Sequence, residues 1–148
     1  MGERLDGGAG VISLELPMPV AELSPNARKK WAKIAATKVA RYDAQEEARS
    51  AKFIWCKANK MQWVPLQEPV TATVTFILKT KRVRDLDNML SSLKPSWDGF
   101  VDAGLLRSDS CWALKLVIQA VHEPESRRGT AIPQKRQARV RIELEGAE

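Results

Sequence analysis

Two carboxylates stand two positions apart, directly behind a cluster of cations, in the run Lys81-Arg82-Val83-Arg84-Asp85-Leu86-Asp87-Asn88. Carboxylate oxygens are hard ligands that suit Mg²⁺, and Mg²⁺ at a phosphodiester activates water and offsets charge. Lysine and arginine hold the phosphates themselves. In extended backbone, residues i and i+2 face the same side, so Asp85 and Asp87 can reach one cation. The same side chains also have a purely structural use. Asp87 or Asn88 suits the N-cap of a following helix, where a side-chain oxygen accepts from free backbone N–H groups. A short D-x-D motif before a helix therefore does not decide between the two.

Two further residues extend the set. Lys94 follows Asp87 by seven positions, on roughly the same helical stripe. An ammonium there can stabilise charge developing on a phosphate or a leaving oxygen; otherwise it is a surface lysine near Asp98. Asp109 precedes an apolar alternating segment. A strand next to that of the acidic pair would bring it beside Asp85 and Asp87 as a third carboxylate. Otherwise it is a turn aspartate in Arg107-Ser108-Asp109-Ser110, where Asp is favoured anyway. A second cationic group, Arg127, Arg128 and Lys135, sits in a polar stretch that is either a nucleic-acid contact or a solvated loop. His122 is the only histidine, which excludes a histidine-based metal site or triad.

These residues need elements to hold them. Ile12, Leu14 and Leu16 alternate with Ser13 and Glu15, which predicts a first strand ended by Pro17 and Pro19. Ser24-Pro25 predicts a helix start, with Ser24 as N-cap. Trp31, Ile34, Ala35, Val39 and Tyr42 then mark an apolar face, and the run without Gly or Pro to about Lys57 leaves open one long helix or a break near Asp43 to Ala51. Val70, Ala72, Val74, Phe76 and Leu78 alternate with threonines, a second strand. After the acidic pair comes a helix ended by Gly104, with a short turn from Asn88 and then a kink or a fresh start at Pro95. Trp112, Leu114, Leu116, Ile118 and Ala120 predict a third strand. Val140, Ile142 and Leu144 predict a fourth. The order β-α-β-α-β-β implies an α+β fold, a mixed sheet of four strands with flanking helices.

The bulk numbers agree with a soluble domain. The chain has 148 residues, 44% hydrophobic and 28% charged, with formal net charge +6. That length is enough for one domain with one core, spanning residues 1–148 with a frayed, Gly-rich start over 1–10. A pI near 9.5 makes nucleic acid a natural partner. The two cysteines, Cys56 and Cys111, give neither a disulfide framework nor a metal-ligand spacing and read as small core residues. Trp31, Trp97 and Trp112 lie in apolar stripes and read as core or dimer residues. No signal peptide or membrane span is seen, so the expected compartment is the cytoplasm.

The ordered set Arg84-Asp85-Leu86-Asp87-Asn88, Lys94-Pro95-Ser96-Trp97-Asp98-Gly99-Phe100, Ala103-Gly104 and Asp109 resembles the RusA family of Holliday junction resolvases. Leu16-Pro17-Met18-Pro19 and Ser24-Pro25-Asn26 resemble that family's N-terminal region. The gap from Asp87 to Lys94 is longer than in the founding member, while Lys94 to Asp109 keeps the spacing. The resemblance implies a small, dimeric, Mg²⁺-dependent DNA endonuclease of the phage and prophage type, with Mn²⁺ as an alternative ion. It implies metal-binding roles for Asp85, Asp87 and Asp109, a catalytic role for Lys94, and DNA contact at Arg84. Its substrate would be branched DNA with four-way junctions. Two other readings stand beside it: a non-catalytic binder of branched DNA, and an RNA-binding domain. The second needs exposed aromatics on adjacent strands, for which only Phe76 and Trp112 are available.

Overall fold

The computed structural model describes residues 10–25, 27–124 and 137–147. Arg127, Arg128 and Lys135 lie outside the described residues, as does Asn26. The chain runs β1 (Ile12–Pro17), a short 3₁₀ turn (Ala21–Leu23), α1 (Lys30–Asn59), β2 (Val70–Leu78), α2 (Leu86–Ser91), α3 (Lys94–Asp102), β3 (Leu114–His122) and β4 (Arg139–Glu145). This is an α+β fold with the expected order of elements.

The four strands form one mixed sheet in the order β1-β4-β2-β3. β4 lies antiparallel to both β1 and β2, while β3 lies parallel to β2 with Val70 opposite Leu114 and Leu78 opposite His122. Period-2 alternation fixes which side faces inward. Ile12, Leu14, Leu16, Val74, Phe76, Ile142 and Leu144 are all buried on one face. Phe100, Leu93 and Trp97 join them from the helical side. Each large side chain buried in this way contributes roughly 1.5–3 kcal/mol. The other face carries Thr71, Thr73, Arg141 and Glu143, which remain partly exposed.

The main helix departs from expectation at its start and in the face it buries. It begins at Lys30, not at Ser24; Ser24 instead closes the 3₁₀ turn, and its carbonyl accepts from Ala27 at 3.0 Å. It is one unbroken helix of 30 residues, with no break between Asp43 and Ala51. And it buries a different face. Trp31 is 85% exposed and Tyr42 59%, while Ala44, Ala48 and Trp55 are buried. The reason is the approach of α3: a Cβ at Gly99 would stand 2.5 Å from the Arg41 carbonyl oxygen and 2.8 Å from the Ala44 Cβ. Only small side chains allow that contact, so an alanine stripe makes it and the large apolar residues point away.

Charged and aromatic contacts lock α3 to α1. The Arg41 guanidinium donates to Asp102, its Nη2 at 2.9 Å, and Gln45 donates to the same carboxylate at 2.9 Å. Lys52 donates to the Ala103 carbonyl at 2.9 Å and the Trp63 indole to the Gly104 carbonyl at 3.0 Å. Trp63 also meets Trp55 edge to face, with ring centroids 5.1 Å apart. Gly104, at φ 78°, ends the helix as expected. Of the two cysteines, Cys56 is half-buried but Cys111 is exposed, so only the first approaches a core role.

Candidate active site

The route from β2 to β3 builds the site. Parallel strands require a crossover, which α2 and α3 supply. The chain therefore leaves β2 at one end of the sheet and re-enters β3 at the other. Lys81, Arg82, Val83 and Arg84 form an exposed loop beyond the end of β2, with Val83 94% exposed. Among the described residues no hydrogen bond or ion pair engages Lys81, Arg82 or Arg84, and all three are exposed.

Asp85 ends the loop and caps α2. Its backbone is extended, at φ −77° and ψ 115°, and its Oδ1 accepts from the Asp87 amide at 3.0 Å. The N-cap is thus Asp85, not Asp87 or Asn88. Asp87 already lies in the first helical turn, so the pair does not share one extended segment. The two carboxylates belong to one capping turn, both exposed. Beside Asp85 opens a cleft of about 330 Å³, lined by Met18, Arg82, Arg84, Asp85, Asn88 and Met89.

α2 stops at Ser91 and α3 starts afresh at Lys94, with Pro95 in its first turn. The restart puts Lys94 at the head of α3. Its ammonium donates to Asp109 Oδ2 at 2.7 Å and to Asp98 Oδ1 at 3.0 Å. These contacts hold the Lys94 pKa above its ordinary value, the hydrogen bond to Asp109 first and that to Asp98 second. In the sequence Asp98 stands out only as a neighbour of Lys94. Its i, i+4 spacing from the lysine was the available signal.

Asp109 is tied to Lys94 at the head of α3, but the parallel pairing attaches it to the opposite strand end from Asp85, so it does not join Asp85 and Asp87 as the expected third carboxylate. Among the described residues, no group of three or more Asp, Glu, His or Cys side chains converges as a metal cage. Mg²⁺ does not require one: it keeps several waters and is commonly held by one or two carboxylates together with substrate phosphates. The all-oxygen pair on the Asp85–Asp87 turn fits that donor chemistry.

A second charged cluster joins the end of β2 to the end of β3 and the start of β4. Arg139 donates to both oxygens of Glu123, at 3.0 and 2.8 Å, and Lys79 donates to the same carboxylate at 2.8 Å. These partners, Arg139 foremost, hold the Glu123 pKa down at about 2. His122 lies alongside, 3.2 Å from the Lys79 carbonyl. Of the tryptophans read as core or dimer residues, Trp97 is buried, whereas Trp31 and Trp112 are 85% and 87% exposed. Phe76 is fully buried.

No protein-family model matches the chain. It is 38% identical over 92 residues to an uncharacterized protein of Xylella fastidiosa, an alignment covering 62% of this chain and 56% of that protein. It is 33% identical over 60 residues to the crossover junction endodeoxyribonuclease RusA of Aquifex aeolicus, covering 40% of this chain and 45% of that one. The chain thus spans about half the length of the curated relatives it matches. Among the described residues no helix is long and apolar enough to cross a membrane.

Proposed function

We propose that this chain is a Mg²⁺-dependent, structure-selective DNA endonuclease that resolves four-way junctions, working in the cytoplasm of a bacterial host. The observation that carries the reading is the exposed Lys81–Arg84 loop running directly into the Asp85–Asp87 capping turn. Partial similarity to a crossover junction endodeoxyribonuclease supports it.

In this reading Lys81, Arg82 and Arg84 grip the phosphates, and each such contact releases counterions. Asp85 and Asp87 would hold the metal, with Asp109 as the further donor that the family resemblance implies, and Mn²⁺ could substitute. Mg²⁺ so bound supplies Lewis acidity and an activated water at the scissile phosphate. Lys94 contributes its proton-rich ammonium to charge developing in the transition state, and Asp98 orients it. Two symmetric cuts need two sites in fixed relation, so the working unit is a homodimer.

One observation favours a second reading, a non-catalytic binder of branched DNA: Asp109 is engaged by Lys94, and no three donors converge among the described residues. The RNA-binding reading loses its platform, because Phe76 is buried under the helices. The test incubates the protein with a labelled four-way junction and with the matching linear duplex, with Mg²⁺ and with chelator. Mg²⁺-dependent cutting of the junction in preference to duplex is the expected result. Tight junction binding with no cutting under Mg²⁺ or Mn²⁺ would transfer the assignment to the binder.

A further inference from the structure

We propose that the outer edge of β3 is the surface on which two copies of this chain meet, the two β3 strands pairing antiparallel across a two-fold axis at Ile118. The inference names a surface for the two-subunit arrangement proposed above, and it requires no catalytic activity.

β3 is a terminal strand of the sheet, nine residues long, and its register to β2 runs without a bulge from Leu114 to His122. Its outer backbone groups face no strand among the described residues. Folded proteins guard such edges with charges, prolines or bulges, because an open edge pairs with other chains. β3 has no proline, and Lys115 is its only lysine, arginine or acid.

The strand also shows exposed apolar residues on both faces, interrupted on one of them by Lys115 and Gln119. Leu116 is 44% exposed on the helical side, while Val117 and Val121 are 50% and 43% exposed on the other. Leu114 and Ile118 pack against the core, so the hydrophobic layer runs outward along β3 and stops in solvent. Trp112, 87% exposed, stands two residues before the strand. Isolated apolar residues on a surface are ordinary, but a contiguous set along an open edge is a binding surface.

The sequence of β3 is compatible with itself. Antiparallel pairing about Ile118 puts Leu116 opposite the partner subunit's Ala120 and Val117 opposite the partner subunit's Gln119. Lys115 falls opposite the partner subunit's Val121, so no like charges face each other. Trp112 comes level with the partner subunit's Pro124, an apolar ring it can cover. The product is one continuous sheet of eight strands, four from each copy, with the two cores joined along Leu114, Leu116 and Ile118. An isologous contact of this kind closes at two copies.

The charge pattern supplies a sharp test. Val121→Lys creates two directly opposed lysine pairs with Lys115, and Val121→Glu creates two opposite-charge pairs at the same positions. Val121 is an exposed residue, so circular dichroism should report native folding for both. Light scattering in reducing buffer, which keeps exposed Cys111 from cross-linking, should give 33 kDa for the wild type, twice the 16.5 kDa chain. Val121→Lys should dissociate on the order of tenfold more readily. Val121→Glu should stay dimeric and loosen with salt. A wild-type protein that stays monomeric at high micromolar concentration would overturn the inference. So would equal dimer affinity in Val121→Lys and Val121→Glu. Dissociation by Tyr42→Glu, with Val121→Lys unaffected, would move the contact to the exposed face of α1. Because the readout is mass, loss of the dimer and loss of cleavage are recorded separately.

Discussion

Lys94 Nζ lies 2.7 Å from Asp109 Oδ2, and this contact joins the head of α3 to the segment that leads into β3. It pairs the lysine with a carboxylate that the proposed reading gives to the metal. Asp98 shares the ammonium at 3.0 Å from the other side. In the proposed reading, Lys94 keeps Asp109 charge-balanced before metal and DNA arrive, and then turns toward the phosphate.

Replacing Lys94 with alanine should therefore act on rate more than on binding. A cation aimed at transition-state charge is worth roughly 10²–10³ in rate. Lys94→Ala should bind junctions within a few-fold of wild type and cut them slowly. Its Mg²⁺ affinity, read by calorimetry on free protein, should rise, because Asp109 loses its resident cation. Normal cleavage by Lys94→Ala would remove the lysine from the mechanism while leaving the aspartates in it.

DNA binding should depend on salt through the loop before Asp85. Lys81, Arg82 and Arg84 are exposed and lead directly into the capping turn. Each phosphate contact removed should lower the slope of log affinity against log salt by about one unit. Replacing all three with alanine should flatten that slope by up to about three units. An unchanged slope would put the DNA on another surface.

Much of this architecture was legible in the sequence, and the exceptions share a physical cause. β2 could be read because Val70 to Leu78 alternates cleanly, and the restart at Pro95 because proline lacks a backbone donor. The buried face of α1 could not be read from hydrophobicity. Ala44 and Ala48 are weakly apolar, and their burial follows from the missing side chain at Gly99, far away in sequence. Trp31 and Tyr42, the strongest apolar signals, are on the surface instead. In the site, the acidic pair and the cations were visible as a motif. The capping role of Asp85 depended on where α2 begins, which motifs do not state. The placement of Asp109 at the opposite strand end from Asp85 depended on β3 being parallel to β2, which no local pattern encodes.

The close packing of α1 on α3 should be sensitive to one methyl group. Gly99→Ala would place a Cβ 2.5 Å from the Arg41 carbonyl, which is backbone and cannot rotate away. Overpacking of this kind costs about 1–3 kcal/mol. Urea unfolding should show a lower midpoint, and cleavage should fall with it, because α3 carries Lys94. An unchanged midpoint would mean that the two helices separate freely.

The Glu123 cluster should give stability a defined acid limb. Folding lowers this carboxylate from its ordinary 4.5 to about 2, with Arg139 as the main cause and Lys79 second. The contribution is therefore complete above about 4.5 and is lost as pH falls toward 2. Glu123→Gln should be less stable than wild type at neutral pH, and the difference should shrink across that acid range. Parallel stability curves from pH 6 to pH 2.5 would contradict this.

The most direct measurement compares wild type with Asp87→Asn on a labelled four-way junction, scoring binding and cutting in the same samples. Asparagine keeps the shape of the side chain and removes the charge that recruits Mg²⁺. Wild type should cut the junction only with Mg²⁺ or Mn²⁺ present. Asp87→Asn should bind it at least as tightly, since repulsion from phosphate falls, and leave it intact. Cutting by Asp87→Asn at the wild-type rate, or by wild type in chelator, would contradict the assignment of the Asp85–Asp87 turn as a metal-dependent active site.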